Sequence, residues 1–226
     1  MLSSTVRNAL ADDQPGFHEP RPKTAFGASL HVWADVLSAA SVGALDRLVS
    51  DIARILRTED TDGSFYYPSF WCPADDATGN WRNFFAVFSE FIGADSFAGV
   101  EWWLRHDPAG ESKVFHFDKD EKLMALETRL ENPTLATVYY FDSFGGPTLV
   151  AAQSATGDGE LRPRVSTELA EIPCRTNQLL AFPGGLRHAV LDSNASGSRT
   201  TFLMNWWRAR PTGMALTPNE IEFPKI

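Results

Sequence analysis

The sequence predicts a mostly β domain, a sandwich or barrel, with helices gathered in its N-terminal half. Three observations carry this. After about residue 100, seven short runs rich in Val, Tyr, Phe, Thr and Trp alternate with clusters of turn residues, the pattern of short strands joined by tight connections. Before that point, two stretches carry apolar residues at three- and four-residue steps, which is helical spacing. The chain has 226 residues, 43% of them hydrophobic, with 16 Phe and 7 Trp, enough for one domain around an aromatic core.

Residues 1–25 are polar and hold Pro15, Pro20 and Pro22; they read as an N-terminal arm or frayed lead-in, with plain disorder as the alternative. Residues 26–226 read as a single domain, with helical support over about 30–95 and a β core over about 100–210. The first helix is expected over Asp35–Arg57, where Leu45, Leu48, Val49, Ile52 and Leu56 form an apolar face and Asp46, Arg47, Asp51 and Arg54 the wet one. The second is expected over Trp81–Ile92, on Phe84, Phe85, Phe88 and Phe91. Asp60–Asn80 is rich in Gly, Pro, Ser and Asp and reads as loop. The strands follow: Glu101–Arg105, Lys113–Phe117, Leu135–Phe141, Thr148–Ala152, Gln178–Phe182, His188–Leu191 and Thr200–Trp207. Trp33, Trp71, Trp81, Trp102 and Trp103 are left open between a pocket and a partner surface.

Net charge is −9 and no Lys/Arg cluster stands out, so neither nucleic acid nor an anionic membrane surface is expected as a partner. Cys72 and Cys174 are too few for a disulfide framework, so a reducing cytoplasm is expected. The N-terminus shows no charged-then-apolar leader, and no run approaches the ~18 apolar residues of a membrane span.

The chemistry concentrates in a few residues. In an extended strand, residues two apart share a face, so His116 and Asp118 aim an imidazole and a carboxylate into one cavity while Phe115 and Phe117 flank them against the core. His188, after the turn Pro183-Gly184-Gly185, is the third candidate ligand on another strand. Two imidazoles and a carboxylate can hold a divalent iron on one side and leave its other positions open. Alternation in the last strand places Arg199, Thr201, Leu203 and Asn205 on one face. There Arg199 either lies at the exposed strand end or forks onto a carboxylate, a geometry that suits guanidinium.

The segment His116–Trp207 resembles the Fe(II)- and 2-oxoglutarate-dependent dioxygenases of the prolyl-4-hydroxylase-like branch. The resemblance rests on His116-Phe117-Asp118, the strand Ala136–Asp142, the turn Gly145-Gly146-Pro147-Thr148, Leu179–Pro183 ahead of His188-Ala189-Val190, and Arg199 leading a strand that ends Asn205-Trp206-Trp207. It covers less than half the chain. It implies a double-stranded β-helix, a jelly-roll like that of the cupins, with helices packed outside one sheet. It implies that His116, Asp118 and His188 bind Fe(II) and that Arg199 pairs with the distal carboxylate of 2-oxoglutarate. Tyr140 stands where prolyl hydroxylases often place a tyrosine on that carboxylate, and the alternative is a packed sheet tyrosine. His106 stands where another side chain often faces the co-substrate, and the alternative is a structural histidine. Thr148 and Thr201 are further pocket candidates.

The activity so implied consumes O2 and 2-oxoglutarate, releases succinate and CO2, and oxidises a C–H bond of a small molecule. Hydroxylation is the default; desaturation and cyclisation use the same ligands. A carboxylate at Asp118 argues against halogenation. The charged segment Asp118–Glu121 is either a solvated turn or a site where Asp120 or Glu121 receives a substrate ammonium, with Arg105 meeting a substrate carboxylate; that would suit an amino-acid-like substrate. The rival readings are a cupin-type metal enzyme of another reaction class, a non-catalytic jelly-roll binding module, and a cysteine hydrolase built on Cys174 and His188.

Overall fold

The computed structural model describes residues 25–56, 65–66, 68–75, 81–92, 97–108, 110–157, 159–194 and 196–224. The expected arm, with His18, lies outside them save for Ala25. The described elements in chain order are α1 (Ala25–Ala28), β1 (His31–Trp33), α2 (Ala39–Leu56), β2 (Phe65–Tyr66), β3 (Phe70–Pro73), α3 (Trp81–Ile92), β4 (Gly99–Pro108), β5 (Lys113–His116), α4 (Glu121–Glu127), β6 (Leu135–Tyr140), β7 (Thr148–Ala151), β8 (Ser154–Ala155), β9 (Leu161–Arg162), β10 (Leu169–Ile172), β11 (Gln178–Pro183), β12 (His188–Val190) and β13 (Ser198–Trp207).

Two antiparallel sheets face one another. The larger runs β1-β11-β6-β13-β4-β2, with β3 also paired to β4; the smaller runs β10-β7-β12-β5. Strand alternation divides the side chains of the large sheet between two cores. Val100, Trp102 and Leu104 of β4 and Phe202, Met204 and Trp206 of β13 point outward, where Leu45, Leu48 and Ile52 of α2 and Phe84, Phe85 and Phe88 of α3 cover them. Ala136, Val138 and Tyr140 of β6 point inward, against Val150 and Ile172 of the small sheet. The second helix matches its expected bounds. The first begins at Ala39 rather than Asp35, because Ser38 Oγ accepts from Ser41 N–H at 3.2 Å as an N-cap and Asp35 has a φ of +53°. The expected loop 60–80 contains β2 and β3 among its described residues; their pairing to β4, which no periodicity announces, extends the large sheet.

Candidate metal centre and cavity

Between the sheets lies a cleft of ≈ 660 Å³, counting its open mouth, lined by His116, Asp118, His188, Arg199, Thr148 and Asn205 among others. Its first three residues converge. β12 pairs with β5 so that His188 stands directly opposite His116, with ring centroids 4.3 Å apart. Asp118 Oδ1 lies 4.0 Å from His116 Nε2 and 3.7 Å from His188 Nε2. One ligand atom from each residue falls within 4.8 Å of the other two.

The imidazoles are oriented as well as placed. His116 Nδ1 lies 2.8 Å from the Val114 carbonyl, and His188 Nδ1 lies 3.0 Å from the Leu186 carbonyl. A carbonyl only accepts, so each Nδ1 carries the proton and each Nε2 keeps its lone pair toward Asp118. The Phe182 ring packs edge-on against His188 at 5.1 Å. Burial, and then the facing His188, hold the His116 pKa below the ordinary imidazole range, which favours the neutral, ligating form. The His116 side chain is 45% exposed and that of His188 10%, so the centre opens on the His116 side.

Asp118 reaches this point by a route the alternation argument did not foresee. β5 stops at His116, and Asp118 sits in the irregular segment that follows, its carbonyl accepting from Asn132 Nδ2 at 2.6 Å. The expected apolar flank is also corrected. β5 is the edge of the small sheet, so Phe115 is exposed, with the Arg187 guanidinium 5.2 Å from its ring centroid, and Val114 is exposed beside it.

Further along the cleft, Arg199 is buried at 5% exposure and has no carboxylate partner among the described residues. Its Nη2 donates to Thr148 Oγ1 at 3.1 Å, and its Cζ lies 5.4 Å from the Tyr140 ring centroid. The Tyr140 hydroxyl donates to the same Thr148 Oγ1 at 2.7 Å. Burial pushes the Tyr140 phenol up to about 12, so it remains a donor. Thr148 Oγ1 therefore accepts twice, and its own proton is left to donate elsewhere. Arg199 Nε and Thr201 Oγ1, both buried, have no hydrogen-bond partner among the described residues. Gly145 makes the space for this guanidinium: its φ is +92°, and a Cβ there would lie 2.7 Å from Arg199 Cδ. A Cβ on Gly146 would collide with the Leu191 carbonyl.

The other sequence candidates are placed as follows. Thr201 shares the inward face of β13 with Arg199. His106 does not face the cleft: alternation sends the odd residues of β4 inward and turns His106 the other way, where its Nδ1 meets Thr200 Oγ1 at 2.9 Å. Arg105 lines the cleft but forks onto Asp107, Nε to Oδ2 at 3.0 Å and Nη2 to Oδ1 at 2.9 Å, with Lys113 Nζ 3.4 Å from Asp107 Oδ1. Asp120 is corrected from a substrate residue to a structural one. It caps α4 by accepting from Leu123 N–H at 2.9 Å, and it accepts from Thr212 N–H at 2.6 Å. Burial raises its pKa, but these donors outweigh it and the net direction is down. Glu121 is exposed, pairs with Lys119 at 2.8 Å, and does not line the cleft. Cys174 donates to the Asp142 carbonyl at 3.2 Å, and burial pushes its thiol up to about 11, the reverse of an activated nucleophile.

Sequence reasoning assigns no site role to Glu101, Trp103, Asp107, Asn205 and Asn132, with Trp103 left open between a pocket and a partner surface and Asn205 placed only on the Arg199 face. The first three are the odd residues of β4, and continuing the period-2 reading past Arg105 would have found the stripe. Glu101 is buried; its Oε2 accepts from Trp207 Nε1 at 3.0 Å and from Asn205 Nδ2 at 3.4 Å. Burial, then the charge of nearby Asp118, raises its pKa to about 7.

No protein-family model matches the sequence, and no curated protein matches it. Solved structures do match. AviO1 from Streptomyces viridochromogenes Tue57 aligns with a TM-score of 0.52 and 12% identity over 84% of this chain and 93% of that one. An oxidoreductase of the 2OG-Fe(II) oxygenase family from Burkholderia pseudomallei gives 0.52 and 12% over 84% and 89%. EctD from S. alaskensis in its apoform gives 0.51 and 14% over 87% and 80%. The chain has the double-stranded β-helix fold of the 2OG-Fe(II) oxygenases. At these identities the likeness carries the fold, and the chemistry must be argued from the residues. No helix among the described residues is long and apolar enough to cross a membrane.

The donor set itself fits a divalent transition metal: two neutral imidazoles with tautomers fixed by backbone carbonyls, and one carboxylate pinned by its own backbone. The orphaned Arg199 Nε fits a second, anionic guest in the same cleft, with Thr201 Oγ1 buried on the same strand face.

Proposed function

We propose that this chain is an Fe(II)- and 2-oxoglutarate-dependent oxygenase acting on a C–H bond of a small polar molecule. The observation that carries the reading is one cleft holding both the three-ligand cluster and a buried guanidinium whose Nε has no hydrogen-bond partner among the described residues. His116, Asp118 and His188 would hold the iron, and Arg199, Thr148 and, through Thr148, Tyr140 would hold the distal carboxylate of 2-oxoglutarate. With O2, the bound iron and 2-oxoglutarate would supply the oxidant for the C–H bond, the co-substrate being released as succinate and CO2.

The chain's own contribution is placement. The two Nδ1–H bonds keep both rings in one tautomer, so no proton need move before the metal binds. Thr148, held as a double acceptor, directs its remaining proton to the carboxylate beside Arg199, giving the co-substrate one orientation. Phe182, Val138, Ala136, Val190 and Leu203 line the interior and limit water there. Arg105, already braced on Asp107, faces the cleft where a substrate anion would arrive. Hydroxylation is the expected outcome. The two buried free cysteines suit a reducing compartment, and the cytoplasm is our proposal for its location.

The test is to add Fe(II) and 2-oxoglutarate to purified protein without oxygen and look for the visible absorption of their chelate, then admit air and assay succinate. The chelate band and succinate are both expected. Metal binding that is indifferent to 2-oxoglutarate would sink the reading and leave another class of metal site.

A further inference from the structure

We infer that Asn205, held by Glu101 and flanked by Trp103, is the subsite that receives a protonated amine of the substrate. This deepens the oxygenase reading and rests on it. With Asp120 and Glu121 placed off the cleft, a cationic group needs another receptor, and the inner face of β4 and β13 provides one.

The argument begins with an amide. Asn205 lines the cleft on the inward face of β13, and its Nδ2 donates to Glu101 Oε2. That oxygen also accepts from Trp207 Nε1, which fixes it as an acceptor and so fixes which end of the amide faces it. Asn205 Oδ1 is left toward the cleft, and no described residue donates to it. An amide oxygen so presented selects an N–H or O–H donor.

Charge narrows the choice to an amine. Behind the amide stands the buried Glu101 carboxyl, its Oε2 3.4 Å from Asn205 Nδ2. Trp103, two residues along the same face of β4, brings an aromatic surface to the cleft, which attracts a cation electrostatically. The opposite end of the cleft has the opposite sign. Asn205 and Arg199 are six residues apart on one strand face, about 20 Å at ~3.3 Å per residue. Lys113, Arg105 and Arg199 lie toward that far end, with only Asp107 among them lining the cleft as an acid. The Asn205 end thus has the buried Glu101 carboxyl behind it, while the cations that line the cleft gather at the other. A small molecule that brings an ammonium to the Asn205 end meets an amide oxygen and an aromatic face there, and a free amino acid carries such a group.

The test titrates the anaerobic Fe(II)–2-oxoglutarate protein with the free proteinogenic L-amino acids, reading heat and the change in visible absorption. Each amino acid that binds is compared with its N-permethylated betaine, which keeps the carboxylate and the positive charge but has no N–H. The expected result is that an amino acid binds and its betaine binds on the order of tenfold to a hundredfold more weakly. Asn205→Leu should weaken the amino acid by a similar factor and remove the preference over the betaine, while the chelate band persists. Glu101→Gln, which retains an acceptor for Trp207, should weaken the amino acid by less. Binding of no amino acid, equal affinity for the betaine, or an unchanged preference in Asn205→Leu overturns the inference. Should Asn205→Leu fail to fold, the comparison on the unaltered protein decides. Should the unaltered protein give no chelate band, the oxygenase reading fails; the same paired titration of the metal-free chain then still decides the amine subsite.

Discussion

Arg199 and Asp107 stand opposite one another in the register of β13 and β4, equally deep, yet they live differently. Asp107 is met by the Arg105 fork and by Lys113, and burial is outweighed so that its pKa is held below the usual carboxylate range. Arg199 has a hydroxyl, a ring face and an Nε that finds no acceptor among the described residues. A buried charge with its neutralisation built in is architecture. A buried charge without it is a socket, because isolated charge at that depth is costly until something pairs with it.

The largest effect tests the centre that gives the socket its purpose. Asp118→Ala or His188→Ala should abolish the Fe(II)–2-oxoglutarate absorption and reduce succinate formation to background, while circular dichroism stays that of the folded chain. Succinate at undiminished rate in either variant would remove these residues from the metal.

The next effect separates the two charges directly. Arg199→Leu should raise the KM for 2-oxoglutarate about tenfold to a hundredfold, the worth of a charge-assisted contact. Because it removes an unpaired buried cation, it should not destabilise the metal-free chain. Asp107→Asn should show the converse: a loss of about 1–3 kcal/mol in urea unfolding of the metal-free chain, with little change in that KM. Swapped outcomes would reverse the assignment of socket and architecture.

The same contrast explains what was legible in the sequence. The seven expected strands, the second helix and the face shared by Arg199, Thr201, Leu203 and Asn205 follow from period-2 and 3.6 patterns, which local sterics enforce; β1, β8, β9, β10 and α4 are not foreseen. The convergence of His116 and His188 was readable from motif order, and the cross-strand pair of β5 and β12 realises it. What escaped depends on partners remote in sequence. Nothing near Asp120 announces that Thr212 donates to it, nothing near Asp118 announces Asn132, and His106 was placed without knowing which face of β4 turns inward. The exposure of Phe115 follows from β5 being an edge strand, a property of topology rather than of composition.

Glu101 offers a subtler break, because its pKa stands raised from 4.5 to about 7. The folded state then binds more protons than the unfolded one between those values. Its contribution to stability is fully present below about pH 4.5 and is lost as pH rises through about 7, at most about 3 kcal/mol. His116, whose pKa is lowered, works in the opposite sense toward neutrality, so the whole-protein curve mixes the two. The difference between the unaltered metal-free chain and Glu101→Gln isolates the carboxyl. That difference should move in favour of the variant between pH 5 and 8, read from urea midpoints. A flat difference would mean that Glu101 titrates as an ordinary surface acid and that the buried network around Asn205 and Trp207 is wrong.

The smallest effect belongs to the acid that looked functional in sequence. Asp120 takes two backbone donors, Leu123 at the first turn of α4 and Thr212 in the chain after β13, and so ties the segment that carries Asp118 to the far end of the sheet. Asp120→Ala should lose the cap, at about 1–2 kcal/mol, and lower Tm by a few degrees in a chain of this size. Glu121→Ala, at an exposed ion pair, should stay within about 0.5 kcal/mol. Neither should alter the discrimination between an amino acid and its betaine, since neither side chain reaches the cleft. A changed discrimination in Asp120→Ala with Tm intact would return the ammonium to this carboxylate and take it from Asn205, because a cap that only holds the backbone cannot distinguish a donor nitrogen from a methylated one.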